Sequence, residues 1–87
     1  MSSAYRIEIE SSAAKALQQL QRTDQIRIAN AITALAADPR PHGCTKLVGT
    51  DDSYRIRIGV FRIVYTIDDT IRIVTITRIG HRKDIYR

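Results

Sequence analysis

Between residues 54 and 65 the chain alternates arginine with apolar side chains. Successive side chains of a β-strand point to opposite faces of the sheet. Arg55 and Arg57 therefore share one face, and Ile56 and Ile58 share the other. Arg62 has the same relation to its apolar neighbours in the next segment. The pattern predicts a sheet with one face on a core and the other lined by guanidinium groups, which bind phosphate oxygens in a bidentate geometry.

The first half of the chain predicts one strand followed by two helices. Residues 4–10 alternate polar and apolar side chains, as a half-buried strand does. Ser11 or Ser12 is expected to cap a first helix, and Thr23 a second. Asp38-Pro39 should end the second helix, because a residue before proline avoids the helical conformation. The short connection between the helices predicts an antiparallel hairpin.

The second half predicts strands separated by short turns, with Gly59 at a bulge or tight turn. Residues 71–79 are partly apolar on both faces, which suits a central strand. The expected fold class is α+β in the order β-α-α-β-β-β, with an N-terminal helical hairpin on a mainly antiparallel sheet. The expected strands are a short one near Thr45–Val48 and longer ones at 53–59, 61–67 and 71–79.

Composition points to a basic, globular chain. Its 87 residues are expected to form a single domain, 1–87. The net charge is +5, and 11 arginines stand against 3 lysines, a bias that favours hydrogen-bonded anion contacts. Residues 45–87 hold nine basic side chains, and their five acidic ones lie mostly in turns. The strands are therefore basic, which indicates a nucleic acid or an acidic protein partner.

Several function classes are disfavoured by the sequence. The lone Cys44 can form no internal disulfide, and no Cys/His cluster has metal-ligand spacing, so we expect no metal and no cofactor. The start of the chain has no signal-peptide pattern, and no apolar stretch is long enough to cross a membrane. We therefore expect a cytoplasmic protein without a membrane partner.

A series of short motifs resembles a known family. The motifs are Asp38-Pro39-Arg40-Pro41, Lys46-Leu47, Tyr54-Arg55-Ile56-Arg57, Phe61-Arg62-Ile63-Val64-Tyr65 and Gly80-His81-Arg82-Lys83-Asp84-Ile85-Tyr86. In this order they resemble the RelE/ParE superfamily of bacterial type II toxins, and most closely its RelE branch. The resemblance covers nearly the whole chain. It implies a RelE-like, microbial RNase-like fold and an endoribonuclease that cuts mRNA in the ribosomal A site and inhibits translation. A cognate RelB-like antitoxin, the ribosome and mRNA are the implied partners.

The resemblance also implies site residues. By motif, the active site falls on Arg55, Arg57, Arg62, Arg82 and Tyr86, with arginine at the first two positions where the family often has lysine. Metal-free cleavage needs a base for the 2′-hydroxyl, positive charge for the phosphate, and an acid for the leaving oxygen.

We assign roles to these residues as expectations. Arg62 and Arg82 would stabilise charge, Tyr86 would be the base, and His81 is a possible acid because histidine exchanges protons near neutral pH. RNA would be held by Arg55, Arg57, Arg78 and Lys46.

Two other functions remain open at this point. One is a ParE-like inhibitor of DNA gyrase, which needs no RNase residues. The other is a non-catalytic nucleic-acid-binding module, for which a basic sheet face suffices. Each residue assignment also has a structural alternative: a solvated polar face for the arginines, a hydrogen bond after Gly80 for His81, and a frayed end for Tyr86.

Overall fold

A mixed sheet covered on one face by two helices is the framework of the molecule. The structure is a computed structural model and describes residues 4–81. The strand order in the sheet is β1-β5-β4-β3-β2, with β1 parallel to β5 and the other pairs antiparallel. The elements along the chain are β1 Arg6–Ile9, α1 Ser11–Gln18, α2 Arg22–Ala34, β2 Thr45–Lys46, β3 Ser53–Ile58, β4 Phe61–Asp68 and β5 Ile73–His81.

The expected α+β fold is confirmed, with the helical hairpin on one face of a mainly antiparallel sheet. The two-residue strand β2 lies within the segment predicted near Thr45–Val48 and adds an edge strand to the order β-α-α-β-β-β. The predicted interior position of the last strand is also confirmed, since β5 lies between β1 and β4. Neither helix within residues 4–81 is long and apolar enough to span a bilayer.

The core lies between the helices and one face of the sheet. Ile63 and Tyr65, two alternate residues of β4, have no exposed surface, and they pack with Ile28 and Ile32 of α2. Each large apolar side chain that is fully buried stabilises the fold by about 1.5–3 kcal/mol. The period of two in β4 and the helical spacing in α2 bring both apolar surfaces into one core.

Both helices begin earlier than predicted. Glu10 and Gln21 occupy the N-cap positions with extended backbone and make no side-chain cap hydrogen bond. The backbone N–H of Glu10 donates to the carbonyl of Ile76 at 3.0 Å, so the chain is still held on the sheet there, and the helix starts at the next residue. The predicted caps Ser11 or Ser12 and Thr23 are therefore wrong, because those residues lie inside the first turns.

A side chain closes the connection between the two helices. The amide Nε2 of Gln25 donates to the carbonyls of Gln18 and Leu20, at 2.9 and 3.0 Å. These carbonyls belong to the end of α1, where backbone acceptors lack helical partners. Gln25 thus holds the hairpin in place over the sheet.

Gly59 forms a tight turn, as one of the two predicted alternatives stated. It has φ +60° and, with Val60, joins β3 to β4 across the paired residues Ile58 and Phe61. A glycine with positive φ at the first central position is typical of a two-residue type II′ hairpin. This turn fixes the register of β3 on β4 and hence the row in which each arginine lies.

Candidate functional site

Four arginines from three neighbouring strands lie on the sheet face opposite the helices. The register pairs Arg62 of β4 with Arg57 of β3. Two residues further along β4, Val64 is paired with Arg55 of β3 on one side and with Arg78 of β5 on the other. Directly paired residues of antiparallel strands share a face. We call Arg55, Arg57, Arg62 and Arg78 the arginine face.

Arg78 reaches this face because of a β-bulge. Val64 pairs with Arg78, but the next residue of β4 pairs with Ile76, so Thr77 is an additional residue in β5. Without it, Thr77 would pair with Val64 and Arg78 would point to the helices. Bulges commonly re-aim side chains in this way. The bulge also keeps both Ile76 and Ile79 in the core.

The four arginines differ in burial. Only 4% of the surface of Arg62 is exposed, whereas Arg57 and Arg78 are exposed and Arg55 is half-buried. Like charges that stand directly opposite each other in a sheet are destabilising, and a buried guanidinium loses hydration. A fold tends to break such local rules at functional sites. The concentration of charge around Arg62 therefore makes this face the leading candidate site.

Two predicted site residues lie on the other side of the sheet. His81 pairs with Phe61 on the helix side, and the two rings meet edge to face with centroids 6.1 Å apart. Lys46 pairs with Tyr54, which also belongs to the helix side. The structure thus brings together Arg55, Arg57, Arg62 and Arg78 but not His81 or Lys46. The remaining predicted residues, Arg82 and Tyr86, lie outside the described residues.

A groove runs between α2 and the outer edge of β3. Its volume is about 550 Å³, and its apolar walls include Ala34 and Leu35 of α2 and Ile56 and Ile58 of β3. The groove exists because β2 pairs only with Tyr54 and Arg55 of β3, which leaves the rest of that strand as an edge.

Polar residues also line this edge groove. Asp38 and His42, from the loop after α2, line it together with Arg57 of the arginine face. The backbone N–H of Arg40 donates to Oδ1 of Asp38 at 3.2 Å, which orients the carboxylate.

A hydrogen-bonded cluster holds the loop that forms one end of the groove. Arg40 donates from both terminal nitrogens to Asp69, at 2.8 and 3.3 Å, and from Nε to the hydroxyl of Tyr54 at 3.1 Å. The Tyr5 hydroxyl donates to Asp69 at 2.5 Å. The hydrogen bonds from Arg40 and Tyr5 lower the pKa of Asp69, and the bond to Asp69 raises the pKa of Tyr5. The cluster fixes the loop relative to β1 and the β4–β5 turn.

The groove and this cluster were not predicted from the sequence. Neither His42 nor Arg40 was among the residues predicted for the site. Arg40 and Asp69 are 29 positions apart in the sequence, and no local pattern predicts their pairing. Tyr54 and Tyr65, which are paired across β3 and β4, stack with ring centroids 6.0 Å apart.

Comparisons with known proteins give consistent results. The family described as "ParE toxin of type II toxin-antitoxin system, parDE" matches residues 7–86. RelE1 of Methanocaldococcus jannaschii is 30% identical over 86 residues, covering 95% of this chain and 96% of that protein.

Solved structures show the same similarity. RelE in the archaeal RelE–RelB complex from Pyrococcus horikoshii superposes with a TM-score of 0.82 and 30% identity, over 91% of this chain and 96% of that one. The isolated RelE toxin of E. coli gives 0.80 and 25% identity, over 95% and 92% of the two chains. The family match over residues 7–86 includes both helices and the strands that carry the arginine face.

Proposed function

This chain belongs to the RelE/ParE superfamily of type II toxins, and on that premise we propose that it cleaves mRNA in the ribosomal A site. The observation that carries the proposal is the arginine face. Four guanidinium groups on adjacent strands suit a polyanion, and one of them is held rigidly by burial in the centre of the sheet. The relationship to RelE proteins supports the same reaction class.

The proposed reaction uses the RNA's own 2′-hydroxyl as the nucleophile. A base removes the 2′-hydroxyl proton, and the oxygen attacks the adjacent phosphorus. The bond from phosphorus to the 5′-oxygen then breaks, leaving a 2′,3′-cyclic phosphate, and the 5′-oxygen takes a proton from solvent to become a 5′-hydroxyl. The pentacoordinate phosphate carries extra negative charge, so preorganised positive groups lower the barrier.

We assign this charge stabilisation to Arg62. Its burial limits its motion, and preorganised charges in poorly hydrated sites act more strongly than mobile ones. The exposed Arg57 and Arg78 and the half-buried Arg55 surround it. They would bind the flanking phosphates and set the position of the RNA across the strands.

The base is proposed to be Tyr86, with Arg82 adding positive charge. A tyrosine hydroxyl is ordinarily protonated near neutral pH. Neighbouring guanidinium groups favour the phenolate and thereby lower the pKa of such a hydroxyl. The arginines would thus act on both the phosphate and the base.

His81 fits a positioning role better than that of the acid. Its ring packs against Phe61 on the helix side, away from the arginine face. From there it would orient the start of the segment that carries Arg82 and Tyr86. A His81→Gln variant should then lower the cleavage rate without removing the alkaline limb of its pH profile, whereas loss of that limb would identify His81 as the acid.

An antitoxin is the expected regulatory partner. The solved relatives from Pyrococcus horikoshii and E. coli include toxin–antitoxin complexes of RelE with RelB. The net charge of +5 favours an acidic or amphipathic antitoxin that covers part of the arginine face.

Inhibition of DNA gyrase is the second candidate, because the matching family is described as a ParE toxin. A protein that acts only by binding gyrase does not require the buried arginine at position 62. The two candidates predict different targets, and one set of variants separates them.

The test is an in vitro translation reaction in which new 5′ ends of the message are mapped with and without ribosomes. The wild type should give codon-phased cuts that need ribosomes, and Arg62→Ala and Tyr86→Phe should strongly reduce them. Arg22→Ala is the matched control, because it removes one exposed arginine from the helix side. An intact message together with inhibited supercoiling by gyrase would replace the RNase proposal with the second candidate.

A further inference from the structure

The bulge in β5 lies where this strand loses its outer neighbour. β1 pairs with β5 only as far as Ile76, and the backbone N–H of Glu10 donates to the carbonyl of Ile76 at 3.0 Å before the chain turns into α1. Within residues 4–81, β5 therefore has no strand on its β1 side from Thr77 onwards. A cavity of about 360 Å³ lies there between α1 and β5, and Thr77 and Arg78 line it. Neither a strand nor α1 thus holds the bulge tightly from this side.

The core requires a bulge but does not decide which residue is the extra one. Ile76 and Ile79 are both buried in the core. Two residues lie between them where an ideal strand would have one, so one of the two must be extra. Either choice keeps both isoleucines in the core. Only the observed choice, with Thr77 extra, pairs Arg78 with Val64 on the arginine face.

A side-chain hydrogen bond favours the observed choice. The hydroxyl Oγ1 of the half-buried Thr77 donates to the carbonyl of Val64 at 3.2 Å. Val64 belongs to β4, the middle strand of the sheet, two residues after the buried Arg62. Threonine hydroxyls commonly stabilise irregular backbone by such bonds to nearby carbonyls. The bond ties the extra residue to the strand on which Arg62 lies.

We propose that Thr77 is a positioning residue, whose hydroxyl holds the bulge so that Arg78 binds an RNA phosphate beside the cut. This inference rests on the proposed RNase function. A guanidinium forms two parallel hydrogen bonds to a phosphate, and holding its backbone in one arrangement lowers the entropy lost on binding. A flanking phosphate gains no charge in the transition state. Arg78 therefore contributes to the binding of RNA and not to the maximal cleavage rate.

Variants at both positions test whether Thr77 acts through Arg78. Thr77→Val and Thr77→Ala each remove the hydroxyl, with and without a β-branched side chain, and Thr77→Ser retains it. Arg78→Ala removes the guanidinium, and a double variant combines Thr77→Val with Arg78→Ala. Thr33→Val is the matched control, because the Thr33 hydroxyl also donates to a backbone carbonyl, that of Ala29 at 2.9 Å, but lies on α2.

The first measurement is the single-turnover rate of cleavage on programmed ribosomes over a range of toxin concentrations. Arg78→Ala should raise the half-saturating concentration about tenfold, as the loss of a hydrogen bond to a charged group does. Thr77→Val and Thr77→Ala should raise it about threefold, with maximal rates within about twofold of the wild type. The double variant should match Arg78→Ala, because residues that act as a unit are not additive. Thr77→Ser and Thr33→Val should match the wild type.

The second measurement needs no RNA. Cross-strand nuclear Overhauser contacts between the backbones of Val64 and Arg78 report the register of the free protein. They should be as strong in Thr77→Ser and Thr33→Val as in the wild type, and weaker in Thr77→Val and Thr77→Ala.

A half-saturating concentration or a set of contacts that is unchanged in both Thr77→Val and Thr77→Ala would overturn the inference and leave the RNase function intact. A double variant with a further threefold loss beyond Arg78→Ala would also overturn it, because Thr77 would then act independently of Arg78. Absence of any cut by the wild type would instead refute the RNase function, and the inference with it.

Discussion

Replacing Tyr65 by phenylalanine tests how strongly the loop after α2 is fixed to the sheet. The Tyr65 hydroxyl donates to the carbonyl of Pro39 at 2.8 Å, and both residues are buried. Burial raises the pKa of Tyr65, so the hydroxyl stays protonated as a donor. Pro39 belongs to the loop that carries Asp38 and His42 to the edge groove.

The expected loss of stability in Tyr65→Phe follows from the lost hydrogen bond. Removing the hydroxyl leaves the Pro39 carbonyl without this donor in a buried position, which costs about 1–3 kcal/mol. For a domain of this size, each kcal/mol lowers the melting temperature by about 4–8 °C. Tyr65→Phe should therefore melt roughly 4–24 °C below the wild type.

Tyr54→Phe is the matched control, because the two rings stack and only the surroundings of their hydroxyls differ. The Tyr54 hydroxyl accepts from the exposed Arg40, which water can satisfy after the substitution. We expect a loss within about 0.5 kcal/mol. Urea unfolding followed by circular dichroism measures both variants. A loss in Tyr65→Phe no larger than that in Tyr54→Phe would refute the reasoning.

Two further predictions concern turns and pH. Gly59→Ala should lower the free energy of unfolding by about 1–2 kcal/mol, because the φ angle of Gly59 is +60°. An added Cβ would also lie 3.2 Å from Nη2 of Arg27. An unchanged urea midpoint would contradict this prediction. The hydrogen bond from Arg40 lowers the pKa of Asp69, so its stabilisation is present above the ordinary carboxylate pKa and is lost as pH falls through the lowered value. Asp69→Asn should therefore be less stable than the wild type at pH 7, and the difference should disappear well below about pH 4; a constant difference from pH 7 to pH 2 would count against the ion pair as its cause.

The alternation of arginine with apolar residues was enough to predict which face of β3 and β4 carries the charge. Arg55, Arg57 and Arg62 lie where the period of two places them. That period is a local property of the chain, and the apolar face can be buried only one way.

The position of Arg78 could not be read from the same rule. The alternation of apolar residues in β5 is interrupted between Ile76 and Ile79. Only the register with β4 identifies Thr77 as the extra residue. The change in alternation is visible in the sequence, but the residues before it and the residues after it each fit an ideal strand. Parity counted from β5 alone does not decide which face Arg78 shares.

The helix caps and the edge groove depended on contacts between distant segments. Glu10 starts α1 because its N–H is bonded to Ile76, a residue of another strand. The groove exists because β2 stops after two residues, and residues of the loop after α2 line it only once α2 has packed on the sheet. Side-chain preferences for caps and loops cannot supply such information.

We assign RNA cleavage to the sheet face with Arg62 and the stability of the fold to the face with Ile63. The most direct measurement compares the single-turnover cleavage rate on programmed ribosomes and the free energy of unfolding for Arg62→Ala and Ile63→Val. These neighbours lie on opposite faces of β4. Arg62→Ala should lower the rate by about 10²–10³-fold. Ile63→Val should cost about 1 kcal/mol of stability and leave the rate of the folded protein within about twofold of the wild type. Equal cleavage rates for the two variants would contradict the account.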